Sequence, residues 1–209
     1  AAIKNGSYGK LMKAYYAKQD AEKLSGKGDT SQKLTLMKTS ADSLKKSADA
    51  LNDASLWEKK KIKKKDEKTG EETEVEDYDW DKITKAVKSF VEDYNDVVKE
   101  AGESNTKDVL RNASWMTGMT DKNSNMLAKI GITIGKGNKL ELDEDALKQA
   151  DISSLKTVFT GYNSFVSKIS QKATGISNAA NRASATYTNN GTYSKTDSSL
   201  TSSKIDKEV

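Results

Sequence analysis

The stretch LTLMKTSADSLKKSADAL, residues 34–51, decides the fold of this chain. Its apolar and small residues recur at alternating steps of three and four, the spacing of one face of an α-helix. The residues of this seam are Leu34, Met37, Ala41, Leu44, Ala48 and Leu51, and Ser55 continues the pattern. The spacing predicts a helix that buries this face against other helices. An ordinary bundle helix is favoured over a two-chain coiled coil, because about three heptads are only the minimum for a coiled coil.

The same spacing recurs on both sides of this stretch. It predicts a helix over about 5–24, a helix over 80–101 that Gly102 closes, a helical region from about Asn105, and a long last helix over 153–187 that Gly161 and Gly175 weaken. The first of these helices carries Tyr8, Leu11 and Tyr15 at helical spacing. The sequence therefore predicts a mainly α fold, an elongated antiparallel helical bundle with coiled-coil-like seams.

A charged hairpin is predicted between the second and third of these helices. Residues 57–65 are rich in lysine, residues 71–81 are rich in acids, and a turn-like segment at 66–70 separates them. An antiparallel pairing puts Ile62 opposite Val75 and lysines opposite acids, and each such charge pair contributes about 0.2–1 kcal/mol. Extended outward, the same register puts Trp57 opposite Trp80. A solvated hairpin is favoured over a site for an anionic partner, because the lysines have their complement in the same chain.

A second, smaller hairpin is predicted at 131–142. Two short apolar strands flank the turn Gly135-Lys136-Gly137-Asn138, and Asp143 follows as the cap of a short helix. We expect residues 1–187 to form a single elongated helical domain, with hairpins at about 57–80 and 131–142. The Ser- and Thr-rich residues 188–209 are predicted to be a flexible tail.

Composition excludes several classes of function. The 209 residues include no cysteine, histidine or proline, so thiolate chemistry, disulfides and histidine catalysis are excluded. A net charge of +4 gives no reason to expect nucleic acid, and no apolar run approaches the length that membrane insertion requires. The chain starts at Ala1 without a visible secretion signal. We expect a protein that is not an enzyme and holds no cofactor.

Three motifs resemble ligand-binding sites but lack residues or spacings that such sites require. The segment 131–136 has the wrong glycine spacing for a phosphate-binding loop. Asp121, Asn123 and Asn125 open like a calcium loop, but Met126 stands where that loop needs glycine. The acids at 143–145 are best explained as a helix cap. We therefore assign no catalytic, cofactor-binding or metal-binding residue.

Residues Thr73 to Thr160 resemble the C-terminal part of flagellar filament capping proteins, also called hook-associated protein 2. The resemblance rests on an ordered set of short motifs: a strand ending in an acid (75–77), then FVEDYN (90–95), LAKIGI (127–132), LELDE (140–144) and LKTVF (155–159). The chain departs from the family in its high lysine content and in replacing large outer domains by the hairpin at 57–80. It resembles a divergent or truncated member.

The resemblance implies a structural role outside the cell, in the bacterial flagellum. It implies flagellin or other hook-associated proteins as partners, reached by helix–helix contacts, and a homo-oligomer is a further expectation. The alternative is a helical adaptor or cell-surface binding module with no flagellar role. Aromatic residues near the two ends are expected to close the bundle where the terminal helices meet. The alternative is that aromatic and small residues there form subunit contacts, because aromatics are enriched in interface cores. They are Tyr8, Leu11, Tyr15, Ala180, Ala183 and Tyr187.

Overall fold

The computed structural model of the chain describes residues 28–65 and 72–186, and it is mainly helical, as predicted. The helices are α1 (Ser31–Asn52), α2 (Trp80–Glu103), α3 (Lys107–Lys122), α4 (Ser124–Ala128), α5 (Glu144–Gln149), α6 (Ile152–Phe159) and α7 (Phe165–Thr186). The strands are β1 (Lys60–Lys65), β2 (Glu72–Asp77), β3 (Ile132–Ile134) and β4 (Leu140–Leu142). The predicted helix at 5–24 and the predicted tail at 188–209 lie outside the described residues.

The four long helices α1, α2, α3 and α7 form an antiparallel bundle. The most extensive contacts join α1 to α7 and α1 to α2, and α3 packs on α7. Lys33 Nζ, at the start of α1, donates to the carbonyl oxygen of Glu103 at the end of α2, 3.0 Å away. Ser177 in α7 reaches Asp42 in α1. The predicted antiparallel bundle is confirmed, whereas the coiled-coil-like geometry of its seams stays a prediction.

The seam of α1 is filled by this chain's own helices. All six residues from Leu34 to Leu51 that define it are buried, at 5 % exposure or less. They join one continuous core with the apolar faces of α2, α3, α6 and α7. Ser55 is exposed, so the pattern ends at Leu51. The interpretation of α1 as a bundle helix is therefore confirmed.

The charged hairpin forms in the predicted register but is shorter than expected. Ile62 lies opposite Val75, and the ladder ends at the pair Lys60–Asp77. The extension that puts Trp57 opposite Trp80 is wrong. Trp57 instead ends a short 3-10 helix (Ala54–Trp57) and is buried, with its ring stacked on Phe159 at 5.5 Å between centroids. Its indole N–H donates to the carbonyl oxygen of residue 51 at 2.8 Å, which satisfies a buried donor.

The second hairpin is clipped onto α2 by an asparagine side chain. Asn95 Nδ2 donates to the carbonyl oxygen of Leu140 at 2.9 Å, and the Leu140 amide donates to Asn95 Oδ1 at 2.7 Å. The predicted strands and turn are confirmed. Gly131 precedes β3 with φ +79°, and a Cβ there would lie 2.6 Å from the carbonyl oxygen of Asp143. No other residue fits this position without moving the backbone.

The predicted long last helix is in fact two helices. α6 ends at Phe159 and α7 begins at Phe165. Gly161 takes φ +98°, outside helical geometry, and its amide donates to Asn52 Oδ1 at 2.8 Å. As a result Tyr162, expected on the apolar face, is 83 % exposed. Gly175 does not interrupt α7, and α2 continues past Gly102 to residue 103.

Candidate docking surface

An open groove of about 400 Å³ runs between α1 and α2. The groove, called the α1–α2 groove below, is lined by Ser43, Lys46, Ser47, Ala50, Lys82, Lys85, Ala86, Ser89 and Asp93. Most of these residues are exposed or half-buried. The groove is therefore a surface feature that another molecule can enter.

The groove exists because the two helices carry small residues just outside their buried seams. The seam side chains hold α1 and α2 together, while Ser43, Ser47 and Ala86 do not fill the space above them. Helices pack by placing the side-chain ridges of one into the grooves of another. A floor of serine and alanine therefore lets the ridge of a further helix approach closely.

Charge is distributed unevenly along the groove. Because α1 and α2 are antiparallel, Lys82 and Lys85 lie toward the end next to Ala50, and Asp93 lies toward the opposite end. Burial raises the pKa of Asp93, and the negative charges of Asp96 and Glu92 raise it further, against the effect of a hydrogen bond from Ser47. The three lysines of the groove give it a cationic rim, which favours an acidic partner.

A second exposed feature lies on α3. Trp115 is 61 % exposed, and Lys172 Nζ of α7 lies 5.4 Å from the centroid of its ring. Such a cation–π contact contributes about 0.5–1 kcal/mol at an exposed site. Tryptophan is enriched at protein interfaces, so Trp115 is a second candidate contact residue that the sequence alone did not single out.

The predicted subunit-contact residues fall into two groups. Ala180 is fully buried in the core of its own chain, and Ala183 is partly buried against that core. Tyr8, Leu11, Tyr15 and Tyr187 lie outside the described residues. The assignment of these six residues to subunit contacts stays a prediction. The α1–α2 groove could not be predicted from the sequence, because its serines, alanines and lysines carry no hydrophobic periodicity.

Asp29 fastens the segment before α1 to the junction of α2 and α3. Its carboxylate accepts hydrogen bonds from Ser104 Oγ at 2.6 Å, from the Asn105 amide at 2.9 Å, and from the Thr106 amide and hydroxyl at 2.9 and 2.7 Å. Burial alone would raise the pKa of Asp29, but these hydrogen bonds outweigh it and lower the pKa. Thr106, the N-cap residue of α3, makes no side-chain cap hydrogen bond, and Asp29 instead holds the two backbone amides that lead into the helix.

Two side chains from the motifs that suggested a ligand have structural partners. Asp143 Oδ1 accepts from the amides of Asp145 and Ala146, each at 3.0 Å, so its predicted role as a helix cap is confirmed. Asn123 Nδ2 donates to the carbonyl oxygen of Met119 at 2.7 Å. Within residues 28–65 and 72–186, no group of three or more metal-ligating side chains is assembled. Within the same ranges, no helix combines the length and apolarity needed to span a membrane.

Comparison with known protein families gives a match to the chain. The family model described as the C-terminus of flagellar hook-associated protein 2 matches residues 104–208, which is half of the chain. The match includes α3 to α7 and the second hairpin, and so overlaps the motifs at 127–159 that carry the resemblance. Neither a curated protein nor a solved structure matches the chain. The chain belongs to the flagellar hook-associated protein 2 family.

Proposed function

We propose that this chain is an extracellular structural subunit of the bacterial flagellum, resembling a filament cap, that acts by helix–helix contacts with other subunits. The family match carries the proposal, since this family is one of flagellar structural proteins. Flagellin and other hook-associated proteins are the proposed partners. The role needs binding surfaces and a rigid framework, and the continuous core of the bundle supplies the framework.

The α1–α2 groove supports the helix–helix part of the proposal. Its small-residue floor suits the side-chain ridge of an incoming helix. Its rim lysines Lys46, Lys82 and Lys85 complement a helix with acidic flanks, which steers association more than it adds affinity. The proposed contact is thus an acidic helix of a neighbouring subunit laid along α1 and α2.

Filling the groove tests this contact. Ala50→Trp and Ser89→Trp place a large side chain in the groove from exposed positions, so neither disturbs the core. Gln171→Trp, on exposed surface of α7, is the matched control. We expect the two groove variants to lose binding to purified flagellin and hook-associated proteins and to fail to restore filament growth in cells lacking their own capping protein. The control variant should retain both activities.

The alternative is a helical adaptor or cell-surface binding module with no flagellar role, for which the exposed Trp115 offers a contact away from the groove. Trp115→Ala separates the two contact surfaces, and binding of the unmodified protein to flagellin and hook-associated proteins separates the two functions. If unmodified protein binds neither flagellin nor hook-associated proteins, the flagellar proposal is wrong. If it binds both and all of that binding depends on Trp115 and none on the groove, the flagellar role stands and the groove contact is wrong.

A further inference from the structure

The charged hairpin is a two-stranded ribbon with two opposite kinds of edge. Within the described residues, β1 and β2 pair only with each other, so each strand has one side without a strand neighbour. The hairpin is held at its base by Tyr78, whose ring has Lys59 Nζ at 5.8 Å and Lys156 Nζ at 5.9 Å from its centroid. Beyond that base, its main contacts are those between its own two strands.

The two edges differ in charge. β1 has the sequence KKIKKK and β2 has the sequence ETEVED. The side chains of Lys61 and Lys63 on β1, and of Glu74 and Glu76 on β2, are exposed. One edge of the ribbon is therefore cationic and the other anionic. An exposed strand edge is a template for pairing with another chain, and charged side chains guard such an edge. Like charges directly opposite each other destabilise a strand pair, whereas opposite charges stabilise it.

We propose that the hairpin is a self-complementary contact through which a second copy of this chain adds its β1 to the open edge of β2. Pairing of two β1 edges would set lysine against lysine, and pairing of two β2 edges would set acid against acid. Only β1 against β2 repeats the favourable pairing that already exists inside each hairpin, where Lys61 faces Glu76 and Lys63 faces Glu74. The charge pattern thus selects one mode of association and opposes the other two.

The geometry permits this mode. Copies in the same orientation place β2 of one beside β1 of the next in antiparallel order, as in the hairpin itself. A sheet twists by about 20–25° per strand, so successive two-stranded hairpins turn by about twice that angle and their helical bundles diverge. The contact is heterologous, which allows a ring or a helical array of copies. It rests on the hairpin alone and does not require a flagellar role.

A charge-swapped variant tests the proposal without breaking the hairpin. The variant Lys61→Glu, Lys63→Glu, Glu74→Lys, Glu76→Lys keeps opposite charges facing each other within the hairpin. Because the chain has no cysteine, Gln171→Cys gives a single labelling site on α7, far along the chain from the hairpin. Donor- and acceptor-labelled proteins are mixed at rising concentration, and energy transfer reports association. Thermal unfolding checks that both proteins are equally folded.

We expect unmodified protein to associate with itself, and the swapped variant to associate with itself, with similar dissociation constants. A mixture of the two should associate about tenfold or more weakly, because lysine then meets lysine across the contact. Salt at about 1 M should weaken both like-with-like associations. Equal association in the mixed and unmixed samples, or no self-association of the unmodified protein at any concentration, would overturn the proposal.

Discussion

Ser177 Oγ donates a 2.6 Å hydrogen bond to Asp42 Oδ1 and so joins the last helix of the bundle to the first. Seven residues further along α1, Asp49 accepts the same kind of bond, also 2.6 Å, from Ser170. Each aspartate also pairs with the lysine four residues before it. A slide of one helix by a single turn would break both bonds, so the two pairs specify the register in which α1 and α7 lie antiparallel.

Removing the hydrogen bond between Ser177 and Asp42 should reveal that the two residues are energetically coupled. We expect Ser177→Ala and Asp42→Ala each to lower the free energy of unfolding by about 0.5–1.5 kcal/mol, at the low end because the carboxylate is half-exposed. The double variant should cost less than the sum of the two single changes. Urea unfolding of the four proteins measures this. Asn178→Ala, at the exposed neighbouring position, is the control and should cost less than about 0.5 kcal/mol. Strict additivity would contradict the coupling.

The burial of the α1 seam can be tested at two leucines of the same helix, one buried and one exposed. Leu44 is fully buried, and Leu36 on the same helix is 51 % exposed. Leu44→Ala should cost about 2–5 kcal/mol because it removes buried apolar atoms and leaves a cavity. Leu36→Ala should change stability by less than about 0.5 kcal/mol. Similar losses at the two positions, measured by chemical unfolding, would mean that α1 does not present its seam to the core.

Two glycines should respond to alanine with opposite signs. Gly161 has φ +98°, where an alanine is strained even though space is open around it, so Gly161→Ala should cost about 1–2 kcal/mol. Gly102 lies inside α2 with open space around its Cα, so Gly102→Ala should stabilise the protein by about 0.4–1 kcal/mol. The shift of the thermal midpoint gives both signs in one experiment. A stabilising effect at Gly161 would contradict the break between α6 and α7.

The attachment of the second hairpin to α2 depends on the side-chain amide of Asn95, which both donates and accepts a hydrogen bond. Asn95→Asp keeps an acceptor for the Leu140 amide but loses the donor to the Leu140 carbonyl oxygen. We expect a loss of about 1–3 kcal/mol, because an acceptor is left unpaired and a charge is added beside it. Hydrogen exchange should show loss of protection at residues 132–142 before the long helices are affected. Unchanged protection there would show that the hairpin holds its place without the clip.

Stability should fall in acid partly through Asp29. Burial acts to raise the pKa of Asp29 in the folded chain. Four hydroxyl and amide donors outweigh burial and lower this pKa below the ordinary 3.8. A lowered pKa means that the carboxylate stabilises the fold above about pH 4 and loses this effect as the pH falls through its folded value. Asp29→Asn should therefore lower stability at pH 7 and flatten the decline of stability as the pH falls below about 4. Asp93→Asn, where burial raises the pKa, should not lower stability at pH 7. A decline as steep in Asp29→Asn as in unmodified protein would contradict this assignment.

Local patterns in the sequence were enough to predict the bundle and the charged hairpin. The spacing from Leu34 to Leu51 reports a single buried face, and that face is buried as the spacing requires. Opposite charges on two adjacent segments favour a register that sets most of the lysines against acids, and Ile62 does lie opposite Val75. In both cases the deciding interactions lie close along the chain.

Features that depend on distant residues could not be predicted in this way. The break at Gly161 was missed because Phe159, Tyr162 and Phe165 keep helical spacing across it, while the group that accepts its amide, Asn52, is 109 residues away. Trp57 was assigned to the hairpin because its aromatic partner Phe159 is equally remote. The α1–α2 groove is formed by small residues of two helices, and no single segment reveals it.

The antiparallel register of α1 and α7 has a mechanical consequence. Because Asp42 lies beside Ser177 and Asp49 beside Ser170, the beginning of α1 and the end of α7 lie at the same end of the bundle. Tension between Ser31 and Thr186 therefore loads the Asp42 contact first and the Asp49 contact afterwards. The two helices would peel apart turn by turn, at low force. Tension between Ser31 or Thr186 and the charged hairpin instead runs along the helix axes, where many core contacts share the load.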